Sequence, residues 1–117
     1  MNKTTSVSAI IACFERAEEL QRLLSSLKKM RGSYSLEIIV VDDGSKNPAA
    51  VKEAVQNFAC RLIRLNENSG PAQARNIGVE NSHGEFLWFL DSDTEIENPD
   101  LLENMIKCLE ENKALAG

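Results

Sequence analysis

Asp91-Ser92-Asp93 directly follows Phe86-Leu87-Trp88-Phe89-Leu90, an apolar run with no charge in it. Two carboxylates at this spacing can serve a hard divalent cation, Mg2+ or Mn2+, which takes one or two protein carboxylates and fills its shell with phosphate oxygens and water. On an extended turn the i, i+2 spacing can also send one carboxylate to the cation and leave the other for a sugar hydroxyl. A second acidic pair, Asp42-Asp43, ends the run Leu36-Glu37-Ile38-Ile39-Val40-Val41 and is followed by Gly44-Ser45. Adjacent like charges repel, and a carboxylate that accepts hydrogen bonds from a base or ribose would give the pair a reason. Asp43, further out of the strand, is the candidate for that contact. Both pairs also have structural readings, because Asp and Gly make ordinary turns and Asp caps helices.

Other residues could join this chemistry. Phe14, just past a first apolar run, could pack in the core or stack on a nucleobase, a contact worth about 1–3 kcal/mol in comparable stacks. Glu15 and Arg16 could simply be charges at a helix start. Gly70-Pro71-Ala72-Gln73-Ala74-Arg75-Asn76 opens a helix whose first N–H groups suit an anion. Arg75 and Arg16 are the guanidinium groups nearest the site that these acids would form. His83, the sole histidine, falls in a turn and reads as a surface residue. There is no Gly-x-Gly-x-x-Gly after the first strand, no Gly-Lys-Ser/Thr and no Ser-His-Asp constellation, so dinucleotide, P-loop and triad readings fail.

The elements that must position these residues alternate. A first strand is expected over Val7–Cys13 and a helix over Ala17–Met30, with Ala17, Leu20, Leu23, Leu24, Leu27 and Met30 at helical spacing. A second strand follows over Glu37–Asp42, then a helix over Pro48–Phe58 with Pro at its opening. A third strand covers Arg61–Leu65, a third helix Pro71–Asn81, a fourth strand Phe86–Leu90. A last helix starts near Pro99 and carries Leu101, Leu102, Met105, Ile106 and Leu109 on one face. The unbroken run Phe86–Leu90 is expected to be buried on both faces. This β-α alternation predicts an α/β fold, a mainly parallel sheet with right-handed crossovers and helices on both faces. If strand order reverses between the first and fourth strands, a crevice opens beyond their carboxyl ends. Asp43, Asp91, Asp93 and Phe14-Glu15-Arg16 would converge on it.

At 117 residues the chain is at most one domain, large enough to bury roughly two-thirds of its unfolded surface. The formal net charge of −5 argues against non-specific binding to nucleic acid, which needs clustered Lys and Arg. It would also repel an anionic ligand from the acidic pairs, a conflict that a bound cation would resolve. Cys13, Cys60 and Cys108 are widely spaced and odd in number, so zinc and disulfide readings are poor and a reducing, cytoplasmic setting fits. No apolar stretch approaches the roughly 18 residues that a membrane span needs. The short run Val7–Cys13 lacks a cleavage site and reads as a strand rather than a leader.

Together these segments resemble the amino-terminal half of a family 2 glycosyltransferase of the GT-A fold. The resemblance is carried by Val7-Ser8-Ala9-Ile10-Ile11, Glu37 to Ser45, Gly70 to Gly78 and Gly84 to Asp93, in the family's order, from about Ser6 to Leu102. It implies a nucleotide-sugar donor, often UDP-linked, a sugar acceptor that the sequence does not name, and Mn2+ or Mg2+. By position, Phe14 and Asp43 would meet the nucleobase, with Glu15 beside them and Arg75 on the nucleotide side. Asp91 and Ser92 would meet the ribose or sugar, Asp93 would bind the metal bridging the diphosphate, and Asp91 is its second candidate ligand. The family often has Pro where Ala12 stands, Asn where Glu15 stands and a further Asp where Thr94 stands. Family domains are roughly twice this long, so residues 1–117 are expected to be the donor-binding part of a longer protein that starts at Met1. The acceptor half and its general base would then lie beyond Gly117. Such a piece should not transfer sugar unaided, could self-associate through surface that the missing half covers, and would come from a parent that could sit at the cytoplasmic face of a membrane. Two alternatives are a receiver-like signalling domain, which would need a Mg2+-binding acidic pair after the first strand, and a non-catalytic nucleotide-binding module that kept the fold.

Overall fold

A computed structural model describes residues 4–116, with side chains described from Thr4 to Glu111. Met1 and Gly117, the ends named above, lie outside the described residues. The elements are β1 (Thr5–Cys13), α1 (Ala17–Lys28), β2 (Tyr34–Asp42), α2 (Pro48–Val55), β3 (Arg61–Arg64), α3 (Pro71–Glu80), β4 (Phe86–Asp91) and α4 (Leu101–Ala116). All eight expected elements are present. β1 and β2 start earlier than their apolar runs because their ladder runs on to Thr5 opposite Tyr34. α1 and α2 stop short of Met30 and Phe58. There the backbone tightens, with Met30 N–H donating to Leu27 O (3.1 Å) and Phe58 N–H to Val55 O (3.0 Å), the i to i−3 pattern common at helix ends.

The sheet is parallel throughout, in the order β3-β2-β1-β4. The chain therefore builds outward from β1 to one side, then returns to place β4 on the other. Alternate residues of β1 face opposite layers. Ile11 and Cys13 join Leu20, Leu23, Leu24 and Leu27 of α1 and Val51, Ala54 and Val55 of α2. Val7 packs with Leu102 and Ile106 of α4, beside Phe86 and Trp88. On the opposite face Ile10, Ile39 and Val41 meet Ala74 of α3. Each of the four buried leucines of α1 contributes about 1.5–3 kcal/mol by leaving water. α3 can lie close to β1 because residue 78 is Gly: a Cβ there would come within 2.5 Å of Ile10 Cγ2.

One expectation is corrected. β4 is not buried on both faces. Phe86, Trp88 and Leu90 turn toward the core, while Leu87 and Phe89 remain 43% and 48% exposed. β4 lies at the edge of the sheet, and α3 packs on β1 and β2 rather than on β4. An apolar run marks both faces as water-averse without naming what covers each one.

Candidate functional site

The order β2-β1-β4 puts the reversal of strand order at β1 and β4, as the sequence requires for a crevice. Ala12 of β1 stands opposite Asp91 of β4, and Cys13 opposite Asp42 of β2, so the carboxyl ends of the three strands are level. A cavity of about 260 Å³ opens there, lined by Ala12, Cys13, Phe14, Arg16, Asp43, Asn68, Pro71 and Ser92. The structure thus brings together Phe14, Asp43 and Ser92 from the expected set, with Asp91 and Asp93 on either side of Ser92. Phe14 is partly exposed at the rim rather than packed in the core.

Asp42 and Asp43 are both buried, and their charges are separated by their partners. Asp42 accepts Ser45 N–H (3.0 Å) on one oxygen and Arg64 Nη1 (2.9 Å) on the other. Asp43 accepts the N–H groups of Ser69 (2.7 Å) and Gly70 (2.9 Å), one on each oxygen. The anion at the approach to α3 is therefore the chain's own Asp43 carboxylate. Between β2 and α2, Gly44 adopts φ +75°, and a Cβ there would fall 2.4–2.5 Å from the backbone of Glu67 and Asn68. Only glycine lets the Asp43 turn and the loop before α3 approach so closely.

Glu15 is the one described non-glycine residue with positive φ, at +59°. Its N–H donates to Ser45 Oγ (3.0 Å), and its carboxylate accepts Lys46 N–H. Its side chain is directed to the β2–α2 turn, and Glu15 does not line the crevice. Arg75, on α3, places Nη2 3.3 Å from Asp91 Oδ1. Arg16, at the start of α1, places Nη1 3.6 Å from Asp93 Oδ2. These four side chains are 43–72% exposed, so each pair contributes about 1 kcal/mol or less to stability.

Sequence reasoning left out Arg64 and Asn68. Arg64 ends a short strand, and nothing in its neighbours reveals that it reaches back to Asp42. Asn68 donates its side-chain amide to Asp43 O (3.3 Å) from within a loop that composition marks only as polar. Arg16 was legible as a charge near the rim but not as a partner for Asp93. At the other end of the sheet, His83 is exposed as expected but is not solitary. Its backbone N–H and Nδ1 lie 2.9 and 3.1 Å from the Glu37 carboxylate, which Ser8 Oγ also approaches to 2.6 Å.

A parallel sheet covered by helices on both faces, with acids at its switch point, matches the class of nucleotide-diphospho-sugar transferases of the GT-A type, as comparison with known proteins shows. The family model "Glycosyl transferase family 2" matches residues 8–117. An uncharacterized glycosyltransferase of Haemophilus influenzae is 35% identical over 106 residues, 91% of this chain and 35% of the relative. Among solved structures, S. aureus TarS 1-349 in complex with UDP aligns with a TM-score of 0.78 at 30% identity, over 92% of this chain and 32% of that one. The mannosyltransferase PcManGT of Pyrobaculum calidifontis, in complex with GDP-Man and Mn2+, aligns with a TM-score of 0.79 at 26% identity, over 90% and 32%. The chain belongs to glycosyltransferase family 2. It spans about a third of the length of these relatives. Membership in this family displaces the receiver-like alternative.

Proposed function

We propose that residues 1–117 are the amino-terminal, donor-binding part of a glycosyltransferase, and that they seat a nucleotide-diphosphate sugar, UDP-linked, in the crevice between β1 and β4. The observation that carries this reading is the coincidence of three features at one switch point: a cavity rimmed by an exposed aromatic ring, a pair of exposed carboxylates at the carboxyl end of β4, and guanidinium groups beside both. The TarS complex with UDP supports the choice of nucleotide.

Asp91 and Asp93 suit Mg2+ or Mn2+. No group of three or more His, Cys, Asp or Glu side chains gathers among the described residues, so a cage made of protein alone is not on offer. Two exposed carboxylates with oxygens to spare are what such cations take when phosphates and water complete the shell. The bound cation would supply Lewis-acid stabilisation to the leaving nucleoside diphosphate. The chain's own residues do the rest of the seating. Phe14 offers its exposed face to the base. Asp43, pre-oriented by two backbone amides, keeps a second lone pair on each oxygen for a base N–H. Arg75 stands on the nucleotide side, and Ser92 lines the crevice. The acceptor site and the general base belong to the rest of the parent protein, so these residues alone are expected to bind donor without transferring sugar. The parent is proposed to act in the cytoplasm, with the cytoplasmic face of a membrane as one candidate place. No helix among the described residues is long and apolar enough to cross a membrane.

Calorimetric titration of UDP with Mn2+, then with chelator, tests the reading. Heat that requires Mn2+ and is lost in Asp93→Ala is the expected result. A folded chain that takes up no UDP, with or without Mn2+, would favour a non-catalytic module that kept the fold.

A further inference from the structure

We propose that Arg16 is a donor-positioning residue that holds Asp93 until a divalent cation takes that carboxylate, and is then released to the donor's diphosphate. The proposal rests on the donor-binding reading above. Three observations lead to it. Arg16 occupies the N-cap position of α1 and makes no side-chain cap there, where Ser, Thr, Asp or Asn is preferred and where a positive charge opposes the helix dipole. The helix therefore gives Arg16 no local reason to stand at its start. Its guanidinium also bypasses the acids of its own first turn. Glu18 pairs with Arg22, and Arg16 reaches across to Asp93 instead. Finally, Arg16 lines the crevice itself, with Phe14, Asp43 and Ser92.

Charge accounting gives the pairing a purpose. Asp91 and Asp93 bring two negative charges, and Arg75 and Arg16 two positive ones, from opposite layers of the sheet. The four together are neutral. A divalent cation raises the group to +2, which balances the two negative charges of a nucleotide-diphosphate sugar. Without the arginines, acids and cation would sum to zero and leave little attraction for that dianion. With Arg16 alone removed, the cation would meet a net negative site and the donor a site of only +1. Arg16 should therefore oppose cation binding and favour donor binding. A residue that merely supports the fold would shift both in the same direction.

The experiment is calorimetry of Mn2+ alone, then of UDP at saturating Mn2+, on wild type, Arg16→Gln, Arg16→Lys and Arg22→Gln. Arg16→Gln should bind Mn2+ alone roughly two- to five-fold more tightly and UDP roughly two- to five-fold more weakly, the size expected of exposed pairs. Both shifts should shrink in high salt. Arg16→Lys should restore the cation affinity and recover UDP binding only in part, because an ammonium lacks the planar fork that grips phosphate. Arg22→Gln should change neither. Shifts of the same sign, no shift at all, or equal shifts in Arg22→Gln would each overturn the proposal. Should Arg16→Gln not fold, Arg16→Lys decides: weaker UDP at unchanged Mn2+ affinity supports it, and unchanged UDP affinity overturns it. If wild type takes up no UDP, the donor reading fails and this inference with it. If wild type binds UDP and the opposed shifts are missing, only the inference fails.

Discussion

Asp42 and Asp43 carry like charges on neighbouring residues, yet neither meets the other's field undiluted. Asp42 turns to Arg64 and Ser45, while Asp43 turns to two backbone amides before α3. Charge-assisted hydrogen bonds of this kind are roughly twice as strong as neutral ones, which is why two nearly inaccessible carboxylates are tolerated. Glu37 is the carboxyl whose titration should be visible. Ser8's hydroxyl, more than any other partner, holds its pKa below the ordinary 4.5, with His83 adding to the effect and burial opposing it. A folded-state pKa below the unfolded one stabilises the protein above the unfolded value, and that contribution is lost as pH falls through the folded value. Glu37→Gln should therefore flatten the acid limb of stability against pH. Urea midpoints from about pH 6 down to about pH 3 would read this. An acid slope equal to that of wild type would assign the titration to other carboxyls.

At the scale of elements, β4 decides how the chain meets its surroundings. Its edge is unpaired among the described strands, and Leu87 and Phe89 stand beside that edge on the face that α3 leaves uncovered. Unpaired, apolar edges recruit other chains. Self-association of this chain through β4 is therefore proposed. Phe89→Lys should suppress it in sedimentation velocity at raised concentration, and should cost less than about 1 kcal/mol because the ring is half exposed. Association that survives the change would place the contact elsewhere. The order and type of every element were legible in the sequence, since the leucines of α1 and the β-branched runs keep their periods and Pro48 and Pro71 mark helix starts. The exposure of β4 was not, because Phe86–Leu90 reads the same whether or not a layer lies over Leu87 and Phe89. In the candidate site, the acids could be found from their place after apolar runs. Their partners could not, since Arg64, Ser69 and Arg16 meet them only through the crossing of strands and loops distant in sequence.

For the molecule as a whole, the three thiols sample its depth. Burial pushes Cys13 up to about 11, and burial also raises Cys60. Cys108 is exposed on α4. Because the thiolate is the reactive form, brief alkylation near neutral pH should modify Cys108 first and leave Cys13 until the fold opens. Peptide mass spectrometry would assign the sites, and early labelling of Cys13 would mean that the layer between β1 and α1 opens readily. The strand order bears on how such a layer is made in the first place. Of the four described strands β1 is the first to be synthesised, yet its partner β4 joins it at Val7 opposite Phe86, after all of α1, β2, α2, β3 and α3. At ~5–20 residues per second, about 80 residues of translation leave that flank of the most buried strand without its neighbour for roughly 4–16 s. In a nascent chain with this topology one edge of β1 stays open to other chains for as long as β4 remains in the exit tunnel.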